Sequence, residues 1–211
     1  MKLTKYEHAC LVLEQAGSAL IIDPGSFTMP LGDVANVVAV VITHEHADHW
    51  TPDQLNRIIT RNPDVTIYGP AGVALAADGF TITEARDGET VTAGPFTLAF
   101  HGSRHAVIHS SIPVVDNVGV LVNDTLFYPG DSYTVPPVAV EVLAVPAGAP
   151  WLKIGEVIDY VTEVKPKRSF PAHEMTLSVI GKNMSNERIG VATRASGGEF
   201  FPLEPGDTLD L

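Results

Sequence analysis

The chain carries a single cysteine in 211 residues, Cys10, so no internal disulfide can brace it. Cys10 sits in the apolar run Ala9-Cys10-Leu11-Val12-Leu13, which points to a buried small hydrophobe rather than a nucleophile. Positive charge is scarce as well. Lys and Arg number 13 against 25 Asp and Glu, the formal net charge is −12, and no basic run occurs. A surface that tracks phosphates is usually basic, so no nucleic-acid partner is expected. No apolar run approaches the ~20 residues that a membrane-spanning helix needs. The stretch Met1-Lys2-Leu3-Thr4-Lys5-Tyr6-Glu7-His8 lacks the apolar core of a signal peptide, so a cytoplasmic protein without a membrane partner is expected. Internal repeats, low-complexity tracts and linkers are also missing. With 45% apolar residues, residues 1–211 suit one domain with a substantial core.

What the chain does have is Thr43-His44-Glu45-His46-Ala47-Asp48-His49. This heptad follows an apolar run, Val37-Val38-Ala39-Val40-Val41-Ile42, that reads as a buried strand. Neutral imidazole nitrogen suits Zn²⁺, Mn²⁺ and Fe²⁺, and a carboxylate adds a hard oxygen. A strand ending in such a cluster can hold a transition metal. In an extended segment alternate residues share a side, which would bring His44, His46 and Asp48 together and send His49 elsewhere, toward a second ion.

The remaining pattern is mostly strands. Lys2–Tyr6, Cys10–Glu14 and Ala19–Asp23 read as a meander, turning at Gln15-Ala16-Gly17-Ser18. After the motif strand Val37–Thr43, Thr51 caps a helix that starts at Pro52 and runs through Arg61. Val65–Tyr68 reads as a strand and Pro70–Ala77 as a short helix. Phe96–His101, Ser111–Val115, Val118–Val122 and Thr125–Tyr128 read as strands of a second half, the halves meeting between residues 85 and 100. Lys153–Val164 reads as a helix with Ile154, Val157, Ile158 and Val161 on one face. Arg168–Phe170 reads as a strand, Leu177–Thr193 as helix, and Phe200–Leu203 and Thr208–Leu211 as closing strands.

The heptad resembles the His-x-His-x-Asp-His signature of the metallo-β-lactamase superfamily. Other pieces resemble that family in the same order: Asp23-Pro24-Gly25 after a strand, His105 after Phe96–His101, Gly130-Asp131 after Leu126–Tyr128, and Ala172-His173 after Arg168–Phe170. The resemblance spans residues 8–174. It implies an α+β fold, a four-layer αββα sandwich. It also implies a first metal site of His44, His46 and His105, a second of Asp48, His49 and His173, and Asp131 bridging them, for one or two ions, Zn²⁺ first with Mn²⁺ or Fe²⁺ as alternatives. Compact length and the His8-Ala9-Cys10 segment look most like the cytoplasmic lactonase-like branch.

The function implied is a metal-dependent hydrolase in which metal-activated hydroxide attacks a small-molecule ester, lactone or phosphodiester. Asp48 is the residue expected to orient that nucleophile and accept its proton. An iron-dependent oxidoreductase on the same fold and a non-catalytic metal-binding protein are the alternatives, and a homo-oligomer is left open. Several residues carry two readings. Asp23 is either a turn residue or an orienter of a ligand histidine. His8 either reaches the site or sits at the surface. His109 contacts substrate or is solvated, and His101 has no assigned role. Ser132, Tyr133 and Trp151 line a pocket or only pack, and Glu174 reads as a loop acid beside the site. Of the basic residues, Arg86, Arg104, Lys153 and Arg168 are the candidates for meeting a phosphate, and no motif places them.

Overall fold

The computed structural model of the protein describes residues 1–31 and 33–211. Two seven-stranded sheets are built on the same plan. The first opens as an antiparallel meander of β1 (Lys2–Lys5), β2 (Leu11–Gln15) and β3 (Ser18–Ile22), then runs parallel through β4 (Val37–Val41), β5 (Thr66–Gly69) and β6 (Ile82–Glu84). In the second, β7 (Thr90–Ala93), β8 (Phe96–His101), β9 (Gly119–Val122) and β10 (Leu126–Tyr128) are antiparallel. They are followed in parallel by β11 (Val142–Pro146), β12 (Arg168–Ala172) and β13 (Glu199–Phe200). β14 (Thr208–Asp210) returns to the first sheet and pairs with β1.

Each parallel pair needs a crossover, and helices supply four of the six: α1 (Pro52–Arg61), α2 (Ala71–Ala76), α3 (Ile154–Val164) and α4 (Val179–Ala195). α1 starts as the sequence predicts, with the Thr51 side chain accepting the Gln54 N–H and Pro52 at the first position. Its buried Gln54 also bonds the carbonyls of Thr28 and Met29 and the N–H of Leu31. With Asn62, whose side chain bonds Val34 O and the Val37 N–H, it holds the long β3–β4 connection over the sheet.

Side-chain alternation sorts the core into three layers. Leu20, Ile22, Ala39 and Val41 face the other sheet and meet Phe96, Leu98, Phe100, Tyr128 and Phe170. Ile21, Val40 and Ile42 face outward against Leu55, Ile58 and Val73. On the far side, Leu121, Phe127, Leu143 and Val145 pack on Val157, Tyr160, Val161 and Ile189. The result is the four-layer αββα arrangement of an α+β protein.

Some expectations change. Ser111–Val115 is a loop: Pro113 lacks a donor, Ile112 N–H closes a turn on His109 O, and pairing is reduced to an isolated bridge between Arg104 and Asp116. Three strands escape the sequence pattern, β6, β7 and β11. β11 is buried at every residue and runs into Pro146-Ala147-Gly148-Ala149-Pro150 rather than into a polar motif that would mark its end. On α3 the buried face is Val157, Tyr160 and Val161, while Ile154 stays exposed. The closing strand predicted at Phe200–Leu203 is only Glu199–Phe200.

β1 carries an unusual residue. Lys5 is fully buried, and its Nζ bonds Glu174 Oε1 at 2.5 Å and Tyr6 O at 3.1 Å. The pair joins the first sheet to the loop after β12. Replacing one partner leaves a buried charge without its counter-ion, at a cost of about 3–5 kcal/mol, whereas replacing both by isosteric neutral groups costs far less. Urea unfolding of Lys5→Met, Glu174→Gln and the double variant is expected to show each single substitution as more destabilising than the double. Equal stability of Lys5→Met and the wild type would mean that the pair contributes nothing.

Candidate metal centre

All the residues in question leave their strands at one end. His8 follows β1, Asp23 follows β3, His44 to His49 follow β4, His105 follows β8, Asp131 follows β10 and His173 follows β12. The heptad is bent rather than extended, with His49 N–H donating to His46 O at 3.0 Å. This corrects the alternation argument, because Asp48 turns away from His44 and His46. The side chains that can share an ion fall into three contiguous groups: His44, His46 and His105; His8, Asp48, His49 and His173; and His44, His49 and Asp131. The seven residues expected from the sequence therefore converge, and His8 makes an eighth. Ring centroids of His46 and His105 are 4.9 Å apart, and those of His49 and His173 are 5.2 Å apart.

Asp23 organises the heptad. Fully buried, it accepts the Thr43 N–H at 2.8 Å, the Thr43 hydroxyl at 2.7 Å and His49 Nδ1 at 2.6 Å. Its second reading, as an orienter of a histidine, is the one the geometry supports. The turn beneath it passes so close that a Cβ on Gly25 would lie 1.7 Å from Asp48 O, so only glycine fits.

The inward-facing atoms test whether the centre fits a metal. His49 Nε2, His105 Nε2, His173 Nε2 and Asp131 Oδ1 are buried without any hydrogen-bond partner. Each of these histidines spends its other nitrogen on an acceptor: Asp23 for His49, Ala106 O at 2.5 Å for His105, and Gly148 O at 2.8 Å for His173. The proton is thereby held on Nδ1, and the Nε2 lone pair points inward. Orphaned buried polar atoms are rare in folded proteins. His49 Nε2 lies 3.3 Å from the orphaned Asp131 Oδ1, and the His173 and His105 Nε2 atoms lie 3.2 and 3.4 Å from Asp131 Oδ2, an arrangement that fits cations among them.

His8 is different. Met175 N–H donates to its Nδ1 at 3.3 Å, so its proton resides on Nε2, which lies 3.1 Å from Asp48 Oδ2. Burial, with His173 and His49 nearby, lowers its pKa to about 4 and keeps the ring neutral. The Nε2–H therefore donates to Asp48, and His8 acts as a clamp on that carboxylate rather than as a ligand. The sequence hint was the resemblance of His8 to an early histidine of the lactonase-like branch.

Electrostatics divides the cluster. Burial alone would raise the carboxyl of Asp48, but hydrogen bonds from His173 and His8 hold it well below the ordinary carboxylate range. Asp131 is likewise held low, against burial, chiefly by His173 and His49. Burial lowers His44 and His46. Burial disfavours a charged His49 too, yet Asp131 and Asp23 outweigh it and raise its pKa to about 9; His173 is raised by Asp131 and Asp48. Without an ion, protons on His49 and His173 balance the carboxylates.

The other residues take separate places. Trp151, for which packing was the ordinary expectation, donates its indole N–H to Asp131 Oδ2 at 2.7 Å. Tyr133 packs on Trp151 with centroids 5.2 Å apart. Glu174 serves the Lys5 pair. His109 is exposed and bonds Ser111, and His101 packs on Phe127, so neither reaches the centre. Cys10 is buried and its thiol pKa is raised by that burial. Arg86 pairs with Glu84, and Arg168 bonds Asp210 O.

A family model described as a beta-lactamase superfamily domain matches residues 2–173. A Mycobacterium tuberculosis protein is 37% identical over 179 residues, 82% of this chain and 84% of that one. A metal-dependent hydrolase of Chelativorans is 31% identical over 118 residues, 50% of this chain and 49% of that protein. Among solved structures, a metallo hydrolase of Ignicoccus hospitalis shares the fold with a TM-score of 0.73 at 20% identity, over 99% of this chain and 97% of the other.

The charge balance makes a pH prediction for the metal-free protein. His49, raised from 6.5 to about 9, contributes stability in full below the lower value and loses it as pH climbs through the higher. His8, lowered from 6.5 to about 4, contributes stability above the higher value and loses it as pH falls. Chelated protein is therefore expected to melt highest near pH 6.5. A divalent ion must displace the protons of His49 and His173, so the stability it adds grows with pH. Melting curves with and without chelator at about pH 5, 6.5 and 8.5 check this. A chelated melting temperature that keeps rising above the middle value would contradict it.

Proposed function

The chain belongs to the beta-lactamase superfamily, and from that premise we propose that it is a metal-dependent hydrolase of a small-molecule ester, lactone or phosphodiester. The observation that carries this reading is the set of four buried, unpartnered atoms, His49 Nε2, His105 Nε2, His173 Nε2 and Asp131 Oδ1, spread over the three adjoining groups of potential ligands. We assign His44, His46 and His105 to one ion and Asp48, His49 and His173 to another, with Asp131 between them. Imidazole and carboxylate together favour Zn²⁺, with Mn²⁺ and Fe²⁺ as compatible ions. The metal-dependent hydrolase of Chelativorans, 31% identical, supports the same class of chemistry. A small substrate in the cytoplasm agrees with the acidic surface, and no described helix is long and apolar enough to cross a membrane.

When bound, divalent ions supply a water whose pKa is lowered toward ~7 and a counter-charge for the oxyanion of the transition state. The rest is the work of the chain. Asp48 is the most accessible member of the second group, its side chain 26% exposed, so it stands where solvent and substrate arrive. Its Oδ2 is taken by His8 at 3.1 Å and faces His173 at 3.4 Å, which leaves Oδ1 to accept a hydrogen bond from the attacking water. Asp48 orients that water and takes its proton on Oδ1. The His8 N–H on Oδ2 favours the ionised form, so the proton passes on to the leaving group rather than staying. Trp151 donates to Asp131 Oδ2 and so helps fix the orientation of that carboxylate.

Asp48→Asn keeps the size of the side chain and removes its charge. Hydrolysis of chromogenic esters, lactones or bis(4-nitrophenyl) phosphate is expected to fall by ~10²-fold or more, the scale of lost general-base catalysis. The His44, His46 and His105 group should retain its ion, read by elemental analysis. Unchanged turnover with full metal content would remove Asp48 from the mechanism. Metal-loaded wild type inactive on every member of such a panel, with an iron absorption spectrum, would favour the oxidoreductase reading.

A further inference from the structure

A cavity of about 630 Å³ lies beside the metal centre, with Arg104, Ser132, Tyr133, Trp151, Lys153 and Glu156 in its wall. None of the proposed ligands lines it, yet it shares a partition with them. Ala106 and Ser132, also in the wall, directly follow His105 and Asp131 in the chain. Trp151 belongs to both places, since the indole that lines the cavity donates to Asp131 Oδ2 at 2.7 Å and lies 5.9 Å from the His105 ring. With Tyr133 set edge-on against it, Trp151 gives the cavity an aromatic corner.

The charge there runs against the rest of the protein. In a chain of 25 acidic and 13 basic side chains, Lys2, Lys5, Arg86, Lys167 and Lys182 pair with carboxylates. Among the described residues, Arg104 has neither an ion pair nor a side-chain hydrogen bond. Asp116, its neighbour across an isolated bridge, accepts the Gly72 N–H instead. Lys153, 82% exposed, reaches only Glu156 at 3.6 Å. A planar guanidinium left free beside an aromatic corner is suited to a bidentate grip on an oxyanion.

We propose that this cavity is the subsite for the non-reacting end of the substrate, and that this end bears a carboxylate or phosphate held by Arg104 and Lys153 while its apolar body lies on Trp151 and Tyr133. The assignment rests on the hydrolase reading above and narrows it to anionic small molecules. The reacting ester then lies past the Trp151–His105 edge, at the centre that opens beside His46 and Asp48. Because Trp151 touches both, occupancy of the cavity bears directly on Asp131.

The test compares wild type with Arg104→Met and Lys153→Met, both metal-loaded. The first readout is calorimetric binding of two probes, glutarate and inorganic phosphate, whose relative affinities tell the carboxylate source from the phosphate one. Anion contact with the ions is common to all three proteins, so the difference between them isolates the cavity. Loss of a hydrogen bond to a charged group should weaken the better probe by about tenfold in Arg104→Met. The second readout is hydrolysis of the 4-nitrophenyl monoester of glutaric acid against neutral 4-nitrophenyl butyrate. The variant should raise KM for the anionic ester by about tenfold and leave that for the neutral one unchanged. Affinities equal in wild type and both variants, or equal changes on anionic and neutral esters, overturn the subsite while leaving the hydrolase intact. Probe binding that depends on Arg104 in a protein inactive on every ester upholds the anion site and overturns the hydrolase reading.

Discussion

Buried negative charge is the constraint on which this structure depends. Asp23 and Asp131 are almost wholly enclosed, at 0% and 3% exposure, and an uncompensated carboxylate in a dry interior costs several kcal/mol. Among the described residues, no lysine or arginine pairs with either one or with Asp48. Every basic partner they have is a histidine. An imidazole can meet a carboxylate as a protonated cation, as a neutral N–H donor like His8, or as a neutral ring that shares a metal with it. The centre therefore has two balanced states, one filled with protons and one with divalent ions. The same histidines serve both, and Asp23 and the carbonyls of Ala106 and Gly148 keep their rings in place.

The location of that charge follows from the duplicated sheet plan. Position by position in the two strand orders, β1 corresponds to β8, β3 to β10, β4 to β11 and β5 to β12. The site residues repeat with them: His8 and His105 after the first pair, Asp23 and Asp131 after the second. These strands point the same way within their sheets, so their following loops gather at one edge, where ligands of open sheets with parallel strands ordinarily sit. The halves then diverge. After β4 comes the histidine heptad; after β11 comes the stretch leading to Trp151 and the cavity. One half supplies most of the proposed ligands and the other supplies the wall that substrate would meet.

Much of this was legible in the sequence because it is local. Thr51-Pro52 fixes the start of α1 by capping chemistry within four residues. The run Val37 to Ile42 marks a buried strand, and the polar residues at strand ends stand out against it. What was hidden depends on contacts between distant segments. Nothing near His8 reveals that Met175 N–H fixes its tautomer or that its partner is Asp48, 40 residues away. Trp151 gave the same trouble, since its bond to Asp131 spans 20 residues. The partner of Lys5, Glu174, lies 169 residues away and equally leaves no local trace. The alternation argument misplaced Asp48 because it assumed an extended heptad, whereas the turn at His46–His49 changes which side chains share a face. β11, as apolar as β4, went unread because it runs into Pro146-Ala147-Gly148-Ala149-Pro150 rather than ending in a polar motif.

Strain shows how firmly the second group of side chains is set. His8 and His173 both adopt left-handed backbone angles, each with φ of 60°, which costs on the order of 1–3 kcal/mol per residue outside glycine. The two are bonded to each other, His173 N–H to His8 O at 2.9 Å, and the buried Lys5–Glu174 pair lies directly behind. Val118 N–H to Thr43 O at 2.9 Å makes a second stitch between the sheets on the heptad side. The spacing between proposed ligands is thus tied to the spacing between sheets, and that is set by the large residues packed between them, Phe96, Phe100, Tyr128 and Phe170. Close-packed interiors transmit small volume changes as displacement. A core substitution far from the histidines would therefore be felt first as a change in the distance between His173 on one sheet and Asp48 on the other, the two residues whose separation decides whether an ion can sit between them.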